Sequence, residues 1–176
     1  MSLLRILGLG RDVSGRESEP ESLIEMTRRL EALPPGEARM AAAFAFLMAR
    51  IAGADLRADA NERASMVERI EHFAGLTTER ADLLVDAALE ALEHHGATDN
   101  HLVARAYRDI SSPEERLDLI RCLYAVAAAD ETITTDEDNE IFEVARVVGV
   151  SHSDVIALRS EWRSHLGTLK GLPSDR

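Results

Sequence analysis

Apolar residues recur along this chain at intervals of three and four, separated by short polar breaks, which is the rhythm of amphipathic helices. Leu23, Met26, Leu30 and Leu33 predict a first helix that ends at Pro34-Pro35-Gly36. Met40, Phe44, Leu47, Met48 and Ile51 form the stripe of a second, over 37–54, with Ala filling its other positions. A helix so apolar on every side belongs at the centre of a fold. Met66, Val67, Ile70 and Phe73 predict a helix over 61–74, stopped by Gly75. Leu83, Leu84, Ala87, Ala88, Ala91 and Leu92 give one over 79–94, and Leu102, Val103 and Tyr107 a short one over 98–109.

Ser112-Pro113-Glu114-Glu115 has every mark of a helix start: a capping hydroxyl, Pro at the first position and Glu at the third. The helix that follows, over 116–130, carries Leu117, Ile120, Leu123, Tyr124 and Ala127. Ile141, Phe142, Ala145 and Val148 then mark one over 136–148, closed by Gly149. Ser151, with Asp154 three residues on, caps a last helix bearing Val155, Leu158, Trp162 and Leu166. The expected fold is all-α, a compact bundle of about seven helices.

The pattern repeats. Asp130 ends one helix and Glu137, seven residues later, sits near the start of the next. Asp55 and Glu62 have the same spacing after Ile51-Ala52-Gly53. Met66 and Val67 correspond to Ile141 and Phe142, and Gly75 to Gly149 after a one-residue slip. The unit is helix, acidic loop, helix, glycine, cap, helix. Two such units packed together would bury the broad apolar face that neither can bury alone.

Composition narrows the class. Hydrophobic residues make up 45% of the chain but aromatics only 4%, so Leu, Ala, Val, Ile and Met must build the core. That favours close-packed helices over a sheet. The formal charge of −12 repels phosphate backbones and argues against nucleic-acid binding, while favouring cations or basic partners. Cys122 is the single cysteine, which excludes an internal disulfide and a thiolate zinc site; apolar neighbours suggest it is a buried small residue. No apolar run reaches membrane-spanning length and no secretory signal is recognisable, so the default compartment is the cytoplasm. Residues 1–10 are apolar with one Arg. A short docked helix or frayed end accounts for them more simply than a peripheral membrane contact, because the polar face is nearly missing.

The acids of the two loops have two readings. An Asp at a helix C-terminus faces the negative end of the dipole and needs donors or a cation. Backbone N–H groups in an Asx-type turn meet that need locally, and Glu137 and Glu62 fit the third position of capping boxes that begin at Thr134 and Asp59. On that reading the acids hold loops and helix ends. The sharper reading gathers Asp130, Glu131 and Glu137, with Asp55 and Glu62, into hard-oxygen sites for Ca²⁺ or Mg²⁺. The stretch 130–141 is not an EF-hand, since Thr135 stands at the glycine position and Ile141 at the final Glu position. No P-loop or dinucleotide fingerprint occurs, Cys122 has no His-based arrangement, and His94, His95 and His101 read as exposed residues at a helix end. Nothing here points to an enzyme.

Ala127-Ala128-Ala129-Asp130-Glu131-Thr132-Ile133, continued to Glu137 and followed by Gly149-Val150 and Ser151, resembles the signature of the TerB-like (tellurite resistance protein B) family, Ala-Asp-Gly-x-Ile-x-x-x-Glu. The resemblance spans about residues 37–167. It implies an all-helical fold of about seven helices, a bacterial stress-response setting, metal binding by the loop acids and association with partner proteins. Two departures stand out. Glu131 and Leu56 occupy the places of the signature's glycine, and Ala58 replaces the loop Ile in the first copy. The expected organisation is an N-terminal helix and linker over 1–36, a TerB-like domain over 37–168 and a disordered tail over 169–176. The expected function is a non-enzymatic stress-response role with a divalent cation in the acidic loops, or else a protein–protein interaction module whose acids are structural.

Overall fold

The computed structural model describes residues 33–53 and 60–167. Six helices lie among them: α1 (Pro35–Ala52), α2 (Ala60–Ala74), α3 (Thr78–Ile110), α4 (Pro113–Ala127), α5 (Thr135–Val148) and α6 (His152–Glu161). Residues 1–32, with all of the expected first helix but Leu33, the loop 54–59 with Asp55, and the tail over 169–176 lie outside the described residues. The fold is an all-α bundle, and no helix among the described residues is long and apolar enough to cross a membrane.

α1 is the centre, as its sequence predicts. Every residue from Ala41 to Ala49 is buried, and the helix packs on α2, α3, α4 and α5. Alanines on its flanks permit those close approaches. At its end a Cβ on Gly53 would come within 2.8 Å of Leu92 on α3, so the glycine lets the two helices converge. Phe44 on α1 stacks on Phe73 of α2 with ring centroids 4.0 Å apart, and Tyr107 of α3 closes the same layer. The Tyr107 hydroxyl donates to the Glu115 carbonyl at 3.0 Å, which answers the polar end of a buried ring. Charged pairs join the helices: Arg63 of α2 reaches Asp82 and Asp86 of α3 near the surface, and the largely shielded Arg50 of α1 pairs with Glu140 of α5.

The two helices expected over 79–94 and 98–109 are one continuous helix of 33 residues, α3. An interior glycine such as Gly96 costs a helix only about 1 kcal/mol relative to Ala. Packing of Ala91, Val103, Ala104 and Tyr107 into the core outweighs it. The end of α3 is held from the next helix, where Arg116 donates to the Arg108 and Ser111 carbonyls at 2.6 and 2.7 Å. That places a cation at the negative end of the dipole.

The last helix is shorter than expected. α6 stops at Glu161, and Trp162 lies in tightened turns beyond it, with the His165 N–H bonded to the Trp162 carbonyl and Leu166 following them. Of the predicted stripes, Phe44, Leu47, Ile51, Leu123, Tyr124 and Ile141 are buried, as is Val126, whereas Met40, Phe73, Leu92, Leu117 and Phe142 are partly buried, Phe142 against the His152 ring. Cys122 is likewise half-buried. Leu119 and Val85, which the stripes passed over, are fully buried.

Gly75 and Gly149 both adopt the left-handed conformation, with φ of 61° and 84°, so the two glycines matched in sequence end α2 and α5 in the same way. The first acidic loop lies in residues 54–59, outside those described, so the likeness of the two copies extends here only to their helices and glycines.

Candidate functional site

The candidate site is the second acidic loop, between α4 and α5. α4 runs out through Ala127 and Ala128, both buried, which lets the loop settle close to the bundle. The chain then tightens: the Ala129 N–H bonds the Val126 carbonyl and the Glu131 N–H the Ala128 carbonyl, each at 3.0 Å. Asp130 ties the next step, its carboxylate accepting the Thr132 N–H at 2.9 Å. This is the Asx-type turn that an Asp at a helix end calls for.

Glu131 has φ of 73°, and it is the one described residue other than glycine with positive φ. It stands where the family signature carries glycine, so this left-handed turn is made without the residue that adopts it freely. Such a conformation costs a residue with a Cβ on the order of 1 kcal/mol or more.

Ile133 points into the core and is almost wholly buried. Its backbone is paired with the chain beyond α6: its N–H donates to the His165 carbonyl at 2.7 Å and its carbonyl accepts the Gly167 N–H at 2.9 Å. Ile133 and Leu166 thus form an isolated parallel bridge, and Leu166 is buried beside it. Residues 162–167 form a strap across the loop.

Thr134 and Glu137 then open α5 with a complete capping box. The Glu137 carboxylate accepts from the Thr134 N–H at 2.7 Å and from its hydroxyl at 2.8 Å, while the Thr134 oxygen accepts the Glu137 N–H at 3.2 Å. Glu137 is 4% exposed. The donors and the positive end of the helix dipole are what a carboxylate needs at such a depth. Ser112 and Glu115 form the same box at the start of α4, and Ser151 caps α6 by accepting the Asp154 N–H.

Asp138, one turn into α5, reaches away from the loop. Arg159 of α6 pairs with it, and the Tyr124 hydroxyl of α4 donates to it at 3.1 Å. Burial, then the Asp138 charge, pushes the Tyr124 hydroxyl far above the ordinary tyrosine range, so it remains a donor. The sequence alone does not point to this three-helix junction. A pairing 21 residues apart leaves no local signature.

The five sequence-predicted ligands are therefore distributed as follows. Asp130 and Glu137 serve separate local turns, Glu131 is exposed at the strained position, Glu62 is buried in the first turn of α2, and Asp55 lies outside the described residues. Among the described residues, no group of three or more His, Cys, Asp or Glu side chains is placed to hold a metal ion. His101 is exposed. The side chains of His94 and His95 lie outside the description. Burial pushes the Cys122 thiol up to about 11, far from the range of a reactive thiolate.

Compared with known proteins, residues 40–160 match the family model described as Tellurite resistance protein TerB. No curated protein and no solved structure matches the chain.

Proposed function

The chain belongs to the tellurite resistance protein TerB family, and from that premise we propose that it is a non-enzymatic helical module that engages other proteins in a stress-response setting, with its loop acids serving its own fold. The observation that carries this reading is the local use of the acids. Glu137 is spent on the capping box with Thr134, and Asp130 on the Thr132 amide. A ligand set for Ca²⁺ would instead need several oxygens turned toward one point. The local ties leave Asp130, Glu131 and Asp136 exposed, so the loop also presents negative charge to a basic partner.

That exposure also supports a second reading, in which Ca²⁺ or Mg²⁺ binds weakly at Asp130 and Glu131. Titration calorimetry with both cations, on the wild type and on Asp130→Asn/Glu137→Gln, separates the two. On the module reading the titrations are flat for both proteins. Because each replacement keeps an acceptor oxygen, stability should fall by about 1 kcal/mol or less per site. A saturable wild-type titration that the double variant abolishes would establish the cation reading in its place.

A further inference from the structure

We propose that the strap over Ile133 is a replaceable occupant, and that its slot receives an extended segment of a partner protein carrying an aliphatic residue followed by glycine, with basic flanks. The inference rests on the interaction-module reading and says where on the module a partner docks.

The slot is defined by what now fills it. Ile133 spends both backbone groups on the strap, donating to the His165 carbonyl and accepting from the Gly167 N–H. Such pairing is how an added strand is recognised: main-chain bonds hold it and side-chain pockets select it. The selecting pocket takes Leu166, which is 2% exposed. The next position favours glycine, since a Cβ on Gly167 would stand 3.2 Å from the Ile133 carbonyl oxygen and 3.4 Å from Thr132 Cγ2, closer than a side chain usually sits. An aliphatic–glycine pair is therefore the chemistry the slot reads. The charge preference comes from its surroundings, where Asp130, Glu131 and Asp136 are exposed on a chain of net charge −12.

The strap is also lightly held. Between the end of α6 and Gly167 it has one fully buried side chain, Leu166, while Trp162 and His165 are half-buried and Arg163, Ser164 and Gly167 exposed. A segment with so few buried contacts belongs to the part of a protein that opens locally before the whole unfolds. α5, by contrast, stays fixed by its capping box and its buried face. Opening of the strap leaves the Ile133 N–H and carbonyl without their partners and its pocket empty, beside a loop otherwise intact.

The test uses the full chain and a labelled peptide with the sequence of residues 160–170. Leu166→Asp should release the strap while leaving the helix content, read by circular dichroism, unchanged. That variant should bind the peptide saturably in fluorescence anisotropy, and the peptide should slow amide exchange at Ile133. The wild type should bind at least about tenfold more weakly, because its own strap competes at high effective concentration. A peptide with Asp in place of Leu166 should not bind. A folded variant that ignores the peptide overturns the proposal. So does loss of the fold in both Leu166→Asp and the milder Gly167→Val, which would make the strap an integral core element. Strap exchange between two copies, seen as wild-type dimers by sedimentation, overturns the choice of a foreign partner. Adding Ca²⁺ alone in the same exchange experiment tells the two failures apart. Protection of the loop by Ca²⁺ strikes the module reading, whereas a silent peptide with silent Ca²⁺ strikes only the slot.

Discussion

Arg159 grips Asp138 with two nitrogens: Nε lies 2.9 Å and Nη2 2.7 Å from Oδ2, and Nε also lies 3.0 Å from Oδ1. The side chain of Asp138 is 14% exposed and that of Arg159 25%, so the pair is shielded enough to matter and wet enough to form without a large desolvation cost. Asp138→Asn or Arg159→Ala should each lower stability by about 1–3 kcal/mol, the cost of leaving a charged partner unsatisfied. The double-mutant cycle should show a coupling of at least about 1 kcal/mol. Additive losses in urea unfolding would mean that α6 is held by its apolar contacts alone.

Glu131 offers the opposite case, a residue whose replacement should help. Glu131→Gly relieves the left-handed strain, partly offset by the greater freedom of glycine in the unfolded chain, and should raise stability by about 1 kcal/mol. Glu131→Ala removes the same charge but keeps a Cβ, and should bring no such gain. Equal effects of the two on the thermal midpoint would assign the change to charge instead.

The burial of Cys122 fixes the sign of its pH dependence. Its folded pKa of about 11 lies above the ordinary 9.0, because desolvation disfavours the thiolate. A raised pKa leaves stability untouched below about pH 9 and lowers it as pH climbs from there toward 11. At pH 8 the thiolate fraction falls from about a tenth in the unfolded chain to about a thousandth in the folded one. Reaction with a chromogenic disulfide should therefore be about a hundredfold slower in buffer than in urea. Similar rates would mean that the thiol opens to solvent easily.

Neighbours on α5 should differ sharply. Ile141 is wholly buried, and Ile141→Ala should cost roughly 2–4 kcal/mol. Phe142 is half-buried beside His152, so Phe142→Ala should cost less despite removing a larger side chain. Chemical denaturation of both variants checks the order, and a reversal would mean that Phe142 anchors α6.

What the sequence made legible follows from how far apart the interacting residues are. The caps at Ser112, Thr134 and Ser151 each act within three residues, so they could be read directly and stand as expected. The stripes on α1 and α5 were equally plain because a helix repeats its own faces. The unity of α3 was hidden, since the packing that carries the chain past Gly96 comes from other helices. The strap was hidden more completely: its link to the loop consists of backbone groups, which every residue has, joined across more than thirty positions. Glu131 was visible as a departure from the family signature, but its cost depends on a backbone angle that only the folded loop displays. The local ties of Asp130 and Glu137 had been anticipated alongside the cation alternative.

One consequence of the unbroken α3 concerns the order in which the molecule comes apart. Its 33 residues make a rod on the order of 50 Å in length. It packs on α1 and α2 from the first half of the chain and on α5 from the second. Two halves joined by a loop could melt one after the other. Two halves sharing a single rod cannot lose one set of contacts without stripping support from the other. A chain that reads as two copies should therefore melt as one unit, with equal calorimetric and van 't Hoff enthalpies.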